Sequence, residues 1–526
     1  MFTMGRQKSY DLPAKMDMNV TKNDAVNGES YRKWYHRQDV WVWVAGMLFV
    51  IGLSGAIFGI GNAKGWYAPS GYVHNVSVTS QERFWPEPFV EEPGVHGRYG
   101  SGRTGRWYYW KLPPDRVTVF TQFFIWACYI SHQVFMWTVI YIAQLKKAHS
   151  TGPRYSSKLG IFNWVAFGGT MFFHLLHLLQ THTTYDPLAQ DVVITSSQGS
   201  VIMLIVYVVL IEYRDRGLLF GWPTKRNTDK VSSTLRLSYG PLYVARKYHG
   251  YAFSWAAIYT FWYHPMENTW GHVMGFVHTW MIMLQGSLMY TDFHLHKWWR
   301  FIVETWVTLH GAVVAYQTGG PIVMWPMFLF GFLLLVCTTQ IFSLRFWWDI
   351  PSGFRAIPIV LYAGAALAVY GLVPDHNGKT FSRIYEIFFI PAILLLLPLL
   401  CHVLFLMCLK IESLCQRVSD NTVGESSPVV QKTPPTAAAT TSKVSTVRRV
   451  VFTLAALLVL VAFIIVGWLI EYLDSPGELF IWMNILSALY SVGVVLFAMF
   501  MKQAIPLDIP VVPLNGLTPN TRTTSS

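Results

Sequence analysis

Seventeen histidines occur in this 526-residue chain, and twelve of them fall between His132 and His310. Imidazole carries protons near neutral pH and offers a bare nitrogen to zinc, copper or iron. In MFFHLLHLLQTH, His174 and His177 stand three apart and share a helix face. His272 and His278 follow in WGHVMGFVH, and His310 in VETWVTLHGAVV. These five are the candidate metal ligands. His182, His264, Asp186 and Gln285 are candidates to orient them or to gate the site, and Glu267 and Asp292 are candidate proton-transfer groups. His278, Gln285 and Asp292 recur every seven residues, which draws one polar stripe along a helix. A lone histidine in a helix commonly does no more than bond a carbonyl, so the argument rests on the set.

The elements that must position this set are membrane spans. The chain is 53% hydrophobic and 13% charged, against about a quarter charged in soluble proteins. Its apolar residues gather into blocks close to the length of about twenty that crosses a bilayer. The blocks lie at 41–60, 118–143, 160–181, 195–212, 246–263, 269–291, 298–317, 321–344, 355–373, 385–409, 450–470 and 479–501. We therefore expect an all-α, polytopic integral membrane protein of about 12 transmembrane helices, within a range of about 10–13. Unbroken runs such as VVFTLAALLVLVAFIIVGWLI exclude the alternation of a barrel strand. Lys and Arg gather in alternate connections, among them QLKKAHSTGPRYSSK and HLHKWWR, which places that side and both termini in the cytoplasm. The net charge of +12 is then a mark of topology, and no nucleic-acid partner is expected.

The expected organisation is a polar N-terminal tail (1–40), a first anchor (41–60), a long outer loop (61–117) and a histidine-rich core (118–345). Two further spans (346–410), a disordered Ser/Thr/Pro-rich linker (411–447), a C-terminal hairpin (448–502) and a disordered tail (503–526) complete it. Asn75 in NVS is a candidate glycosylation site on the outer loop. In the first anchor, Gly55 and Gly59 form a small-xxx-small pair suited to close helix packing.

Depth brings the histidines together. With a rise of about 1.5 Å per residue and an apolar core of about 30 Å, His174, His177, His272, His278 and His310 all fall in the outer half of the bilayer. Ionisable groups there mark functional sites by default. The intervals from His264 to His278 and from His296 to His310 are both fourteen, which resembles the paired spacing of transmembrane b-type cytochromes and ferric reductases. That resemblance implies haem b held between helices, with His278 and His310 as ligands; Pro265 departs from it by separating His264 from His278.

Desaturase histidine boxes, HEXXH, the P-loop and GxSxG are absent. The expectation is an outward-facing centre of Fe, Cu, Zn or haem b in a membrane oxidoreductase that takes electrons from a membrane partner or quinol. One alternative is proton- or ion-coupled transport along the His278, Gln285 and Asp292 stripe, with Glu304. Another is a zinc hydrolase using the serines of TSSQGSVIML.

Overall fold

A computed structural model describes residues 34–63, 117–221 except 151 and 193, 239–319 except 267 and 268, 325–374 except 352, and 378–392, with a few single positions beyond. Among these residues the fold is helical throughout, with one isolated bridge between Ser156 and Thr291. The helices are α1 (Gln38–Ala63), α2 (Val119–Ala148), α3 (Ile161–Thr183), α4 (Ile194–Arg216), α5 (Tyr239–Tyr263), α6 (Trp270–Ser287), α7 (Lys297–Gly319), α8 (Trp325–Thr338), the short α9 (Arg345–Asp349) and α10 (Ile357–Leu372). The outer loop with Asn75, Glu267, the linker and the C-terminal hairpin lie outside the described residues.

Among the described residues, five stretches are long and apolar enough to cross a membrane: α1, α2, α3, Trp325–Ser343 and Phe354–Leu372. Their outward faces are what lipid would accept. Leu48 and Ile51 on α1 are 63% and 64% exposed, and Phe120, Phe123, Phe172 and Leu361 are exposed as well. That much apolar surface would be a liability in water.

Local sequence explains where the helices begin and end. At the start of α2, Thr118 and Thr121 form a reciprocal capping box. Pro265 follows the last turn of α5 directly, as a residue that cannot continue the ladder. The next helix is capped by Thr269, whose hydroxyl accepts from the His272 N–H. Asn163, fully buried near the start of α3, accepts from the Gly160 N–H and donates to the Ser287 and Met289 carbonyls. One side chain thereby caps α3 and ties it to the end of α6.

Helix α6 is the axis of the bundle, packed by α1, α3, α5 and α7. Its buried face carries Gly271, His272, Gly275, Phe276, Trp280 and Leu284. The close approach of α1 is made at Gly46, where an added Cβ would lie 2.8 Å from both Leu284 methyl carbons. Among the described residues Gly55 and Gly59 meet nothing within 4 Å, so the expected packing pair makes no contact there. The spacing was legible, but which face of α1 met protein was not.

At the end of the bundle where α1 begins, Asp39 is fully buried and accepts from Arg37 Nε and Nη2 and from the Phe293 N–H, pinning α1 to the connection between α6 and α7. Enlarging Gly46 should overpack the α1–α6 contact. Gly46→Val is expected to destabilise the purified protein by about 1–3 kcal/mol, with Gly55→Val near neutral, as read from thermal melts in one detergent.

Candidate functional site

Seven histidines run through the interior of α2 to α7. On α2, His132 is fully buried, stacked on Phe173 at 4.0 Å between ring centroids, and its Nδ1 accepts from Trp262 Nε1 at 3.2 Å. Neutral His132 therefore keeps its hydrogen on Nε2, a buried atom with no partner among the described residues. His174, on α3, is the complement. Its Nδ1–H donates to the Thr170 carbonyl at 2.8 Å, so Nε2 is a bare lone pair, also buried and without a protein partner. His132 was not among the expected ligands. The signal was present in SHQVFM, where His132 and Gln133 stand side by side in an otherwise apolar span.

His177, one turn beyond His174, lies between Phe261 and Trp262 at about the same distance from each ring. Both of its nitrogens face acceptors: Nδ1 meets Gln180 Oε1 at 3.2 Å and Nε2 meets the His264 carbonyl at 3.1 Å. The Gln180 amide cannot be reversed without loss, because its Nε2 donates to the Asp186 carbonyl and to Thr184. A neutral His177 therefore makes one of these two bonds at a time. In the turn after α5, His264 lies 4.8 Å from the His272 ring, and His272 Nδ1 bonds Thr269 Oγ1 at 2.7 Å.

His278 on α6 meets His310 on α7 with their Nδ1 atoms 3.4 Å apart. His278 Nε2–H donates to the Val303 carbonyl at 3.0 Å, which leaves its Nδ1 lone pair facing His310. Gly275 makes room for the partner ring, since a Cβ there would stand 2.9 Å from His310 Nε2.

Among the described residues, no three His, Cys, Asp or Glu side chains converge on a point that could hold a metal ion. The five expected ligands are instead divided into His278 with His310, His272 with His264, and His174 with His177 against Phe261. Helical geometry gives the reason: six residues at about 100° each turn His272 and His278 about 120° apart around α6.

The remaining candidates sit toward the ends. His182 is half-buried at the end of α3. Asp186 is fully buried in the following connection, with Oδ2 2.7 Å from Thr121 Oγ1, and Asp191 accepts from Gln122 and Trp126 at 2.7 Å each. The Gln285 side chain is committed on both atoms: Nε2 donates to the His294 carbonyl and Oε1 accepts from Trp299. It fastens the connection between α6 and α7. Burial, with His249 nearby, pushes the His294 imidazole down to about 4, so it stays neutral and donates from Nδ1 to the Gln285 carbonyl. Asp292 ends the stripe in that connection, half-exposed and 4.0 Å from the Arg37 guanidinium.

Charges that sequence reasoning assigned to cytoplasmic connections are partly inside the bundle. Arg216 is 1% exposed and donates to Glu304 at 2.5 Å, and Arg300 pairs with Glu212. Each helix supplies one acid and one base a turn apart, Glu212 and Arg216 from α4 and Arg300 and Glu304 from α7. Breaking such a pair strands a buried charge. Arg216→Met should cost about 3–5 kcal/mol, while the double change Arg216→Met, Glu304→Leu should recover most of it, measured as denaturation midpoints in detergent. Comparison of the chain with protein-family models, with characterised proteins and with solved structures finds no match, so its function is argued from its own residues.

Proposed function

We propose that this chain is a membrane oxidoreductase of about twelve helices, with both termini cytoplasmic, whose central helices hold a transition-metal ion between His278 and His310. The observation that carries the reading is the 3.4 Å separation of the two Nδ1 atoms, with the far nitrogen of His278 already held by the Val303 carbonyl. Two imidazoles bound at about 2.0–2.1 Å in a tetrahedron stand about 3.3–3.4 Å apart. A carbonyl on the opposite ring nitrogen is the usual device that sets a ligand's tautomer.

The pair suits a compact ion better than haem. Axial ligands of one haem approach the iron from opposite sides, with the macrocycle between them, whereas these rings meet edge-on at 81° and His310 lies against Gly275. Water or a substrate would complete the coordination, and the electron donor would be a membrane partner or quinol. A zinc hydrolase is less well supported. Of the serines it would use, Ser196 is engaged with the Tyr259 hydroxyl of α5.

Proton-coupled transport is the second reading, favoured by His177. A buried imidazole between two acceptors, in line with His174 on one side and with His264 and His272 on the other, can exchange tautomers and so pass a proton.

Elemental analysis of detergent-purified protein separates the readings. About one copper, iron or zinc per chain, lost in the His278→Ala, His310→Ala variant while the protein stays folded, supports the metal centre. Folded wild type without metal, together with pH-driven flux in liposomes that His177→Ala abolishes, would replace it by transport. The proposed topology places Asn75 outside; expressed in a glycosylating cell, the wild type should lose gel mobility relative to Asn75→Gln, and equal mobility of the two would count against that placement.

A further inference from the structure

The connection between α3 and α4 holds a carboxyl group whose surroundings suit an acid and not an anion. Asp186 is fully buried, and among the described residues no cation pairs with it. Its Oδ1 is buried with no partner, and an ionised carboxylate left in that state is heavily penalised. Its Oδ2 has one neighbour, Thr121 Oγ1 at 2.7 Å. That hydroxyl accepts from the Thr118 N–H in the capping box of α2, at 3.0 Å, and has its one hydrogen to give to Asp186; the Thr118 carbonyl, 2.9 Å away, already accepts from the Gln122 N–H. Among the described residues Asp186 thus receives one neutral hydrogen bond, too little to hold a buried anion.

We infer that Asp186 is a proton-binding site, a buried carboxylic acid that takes up a hydrogen at the end of the bundle where α2 begins and α3 ends, with Thr121 bonded to its Oδ2. The inference does not depend on a metal between His278 and His310. Its neighbours explain why the proton can be exchanged near neutrality. Burial is the main influence, and the Asp191 carboxylate in the same connection acts in the same direction, while the Thr121 hydroxyl opposes both; together they push Asp186 up to about 6. The other titratable side chains at the adjoining helix ends are His182 on α3 and Tyr263 and His264 at the end of α5; α2 presents Thr121, Gln122 and Trp126, which do not titrate. Asp186 also touches the histidine array, because its backbone carbonyl holds Gln180, whose Oε1 faces His177.

The sign of the stability effect follows from the raised value. The contribution is fully present below the ordinary aspartate value, about 4, and is lost as pH rises through about 6. The test is infrared spectroscopy of the full chain in membranes, with 13C-aspartate label, between about pH 5 and about pH 8. The expected result is a label-sensitive buried carboxylic-acid band that disappears as pH rises, is absent in Asp186→Asn and persists in Asp191→Asn. Because the Asn side chain carries no charge and its oxygen can still accept from Thr121, Asp186→Asn should melt no lower than wild type at neutral pH and lose the pH dependence of melting between about pH 4 and about pH 6. A labelled wild type with no titrating carboxylic-acid band overturns the inference whether or not the variant folds. So does an Asp186→Asn protein that melts lower than wild type by the same amount at every pH.

Discussion

A side chain with a charge or a lone pair inside an apolar helix bundle has no water to fall back on, and the arrangement of α4 to α7 follows from that constraint. Many of the buried polar groups are answered by a backbone or side-chain partner. His278 finds the Val303 carbonyl, His174 the Thr170 carbonyl, Arg216 the Glu304 carboxylate and Asn163 two carbonyls at the end of α6. Helices α1, α2 and α3 carry much of the lipid-facing apolar surface, while the histidines and charges concentrate on the faces they enclose and on α4 to α7. The division follows polarity: the exposed apolar faces are of a kind that lipid accepts, and the enclosed polar groups need protein partners.

Packing and chemistry are coupled through small residues on α6. Gly275 lets the His310 ring lie against the helix backbone, which brings its Nδ1 to His278. Serine or alanine at that position would push the ring away by its Cβ alone. One turn from the Gln285 tie, Trp280 is fully buried beside His174 and Phe49, so the histidines are held by aromatic walls and not by loops. Such a setting fixes ring orientation, and ring orientation decides which nitrogen offers a lone pair.

The two ends of the bundle differ in kind. Near the start of α1 and the connection between α6 and α7, polar groups are paired tightly: Asp39 with Arg37, Gln285 with Trp299 and His294, Arg300 with Glu212. At the opposite end the polar groups are less completely answered, with buried oxygens of Asp186 and Gln190 left without protein partners. Tight pairing resists movement, and incomplete pairing leaves room for a proton or water to decide the local structure.

The amino-acid sequence by itself determined the class and the grain of this protein. Apolar runs of bilayer length set α1, α2 and α3 to within a few residues, Pro265 separated α5 from α6, and the residue types singled out His278 and His310 before their helices were placed. These features are local, since periodicity, breakers and hydropathy act within one segment. Tertiary structure alone decided which faces met. It chose Gly46 over Gly55 and Gly59 for the α1 contact, brought Arg216 and Arg300 out of apparent connections into buried pairs, added His132 to the interior, turned Gln285 into a structural tie and set His272 away from His278. A helix repeats every 3.6 residues and so fixes which side chains share a face; the partner that face meets depends on residues far away in the chain, and no local pattern encodes their distance.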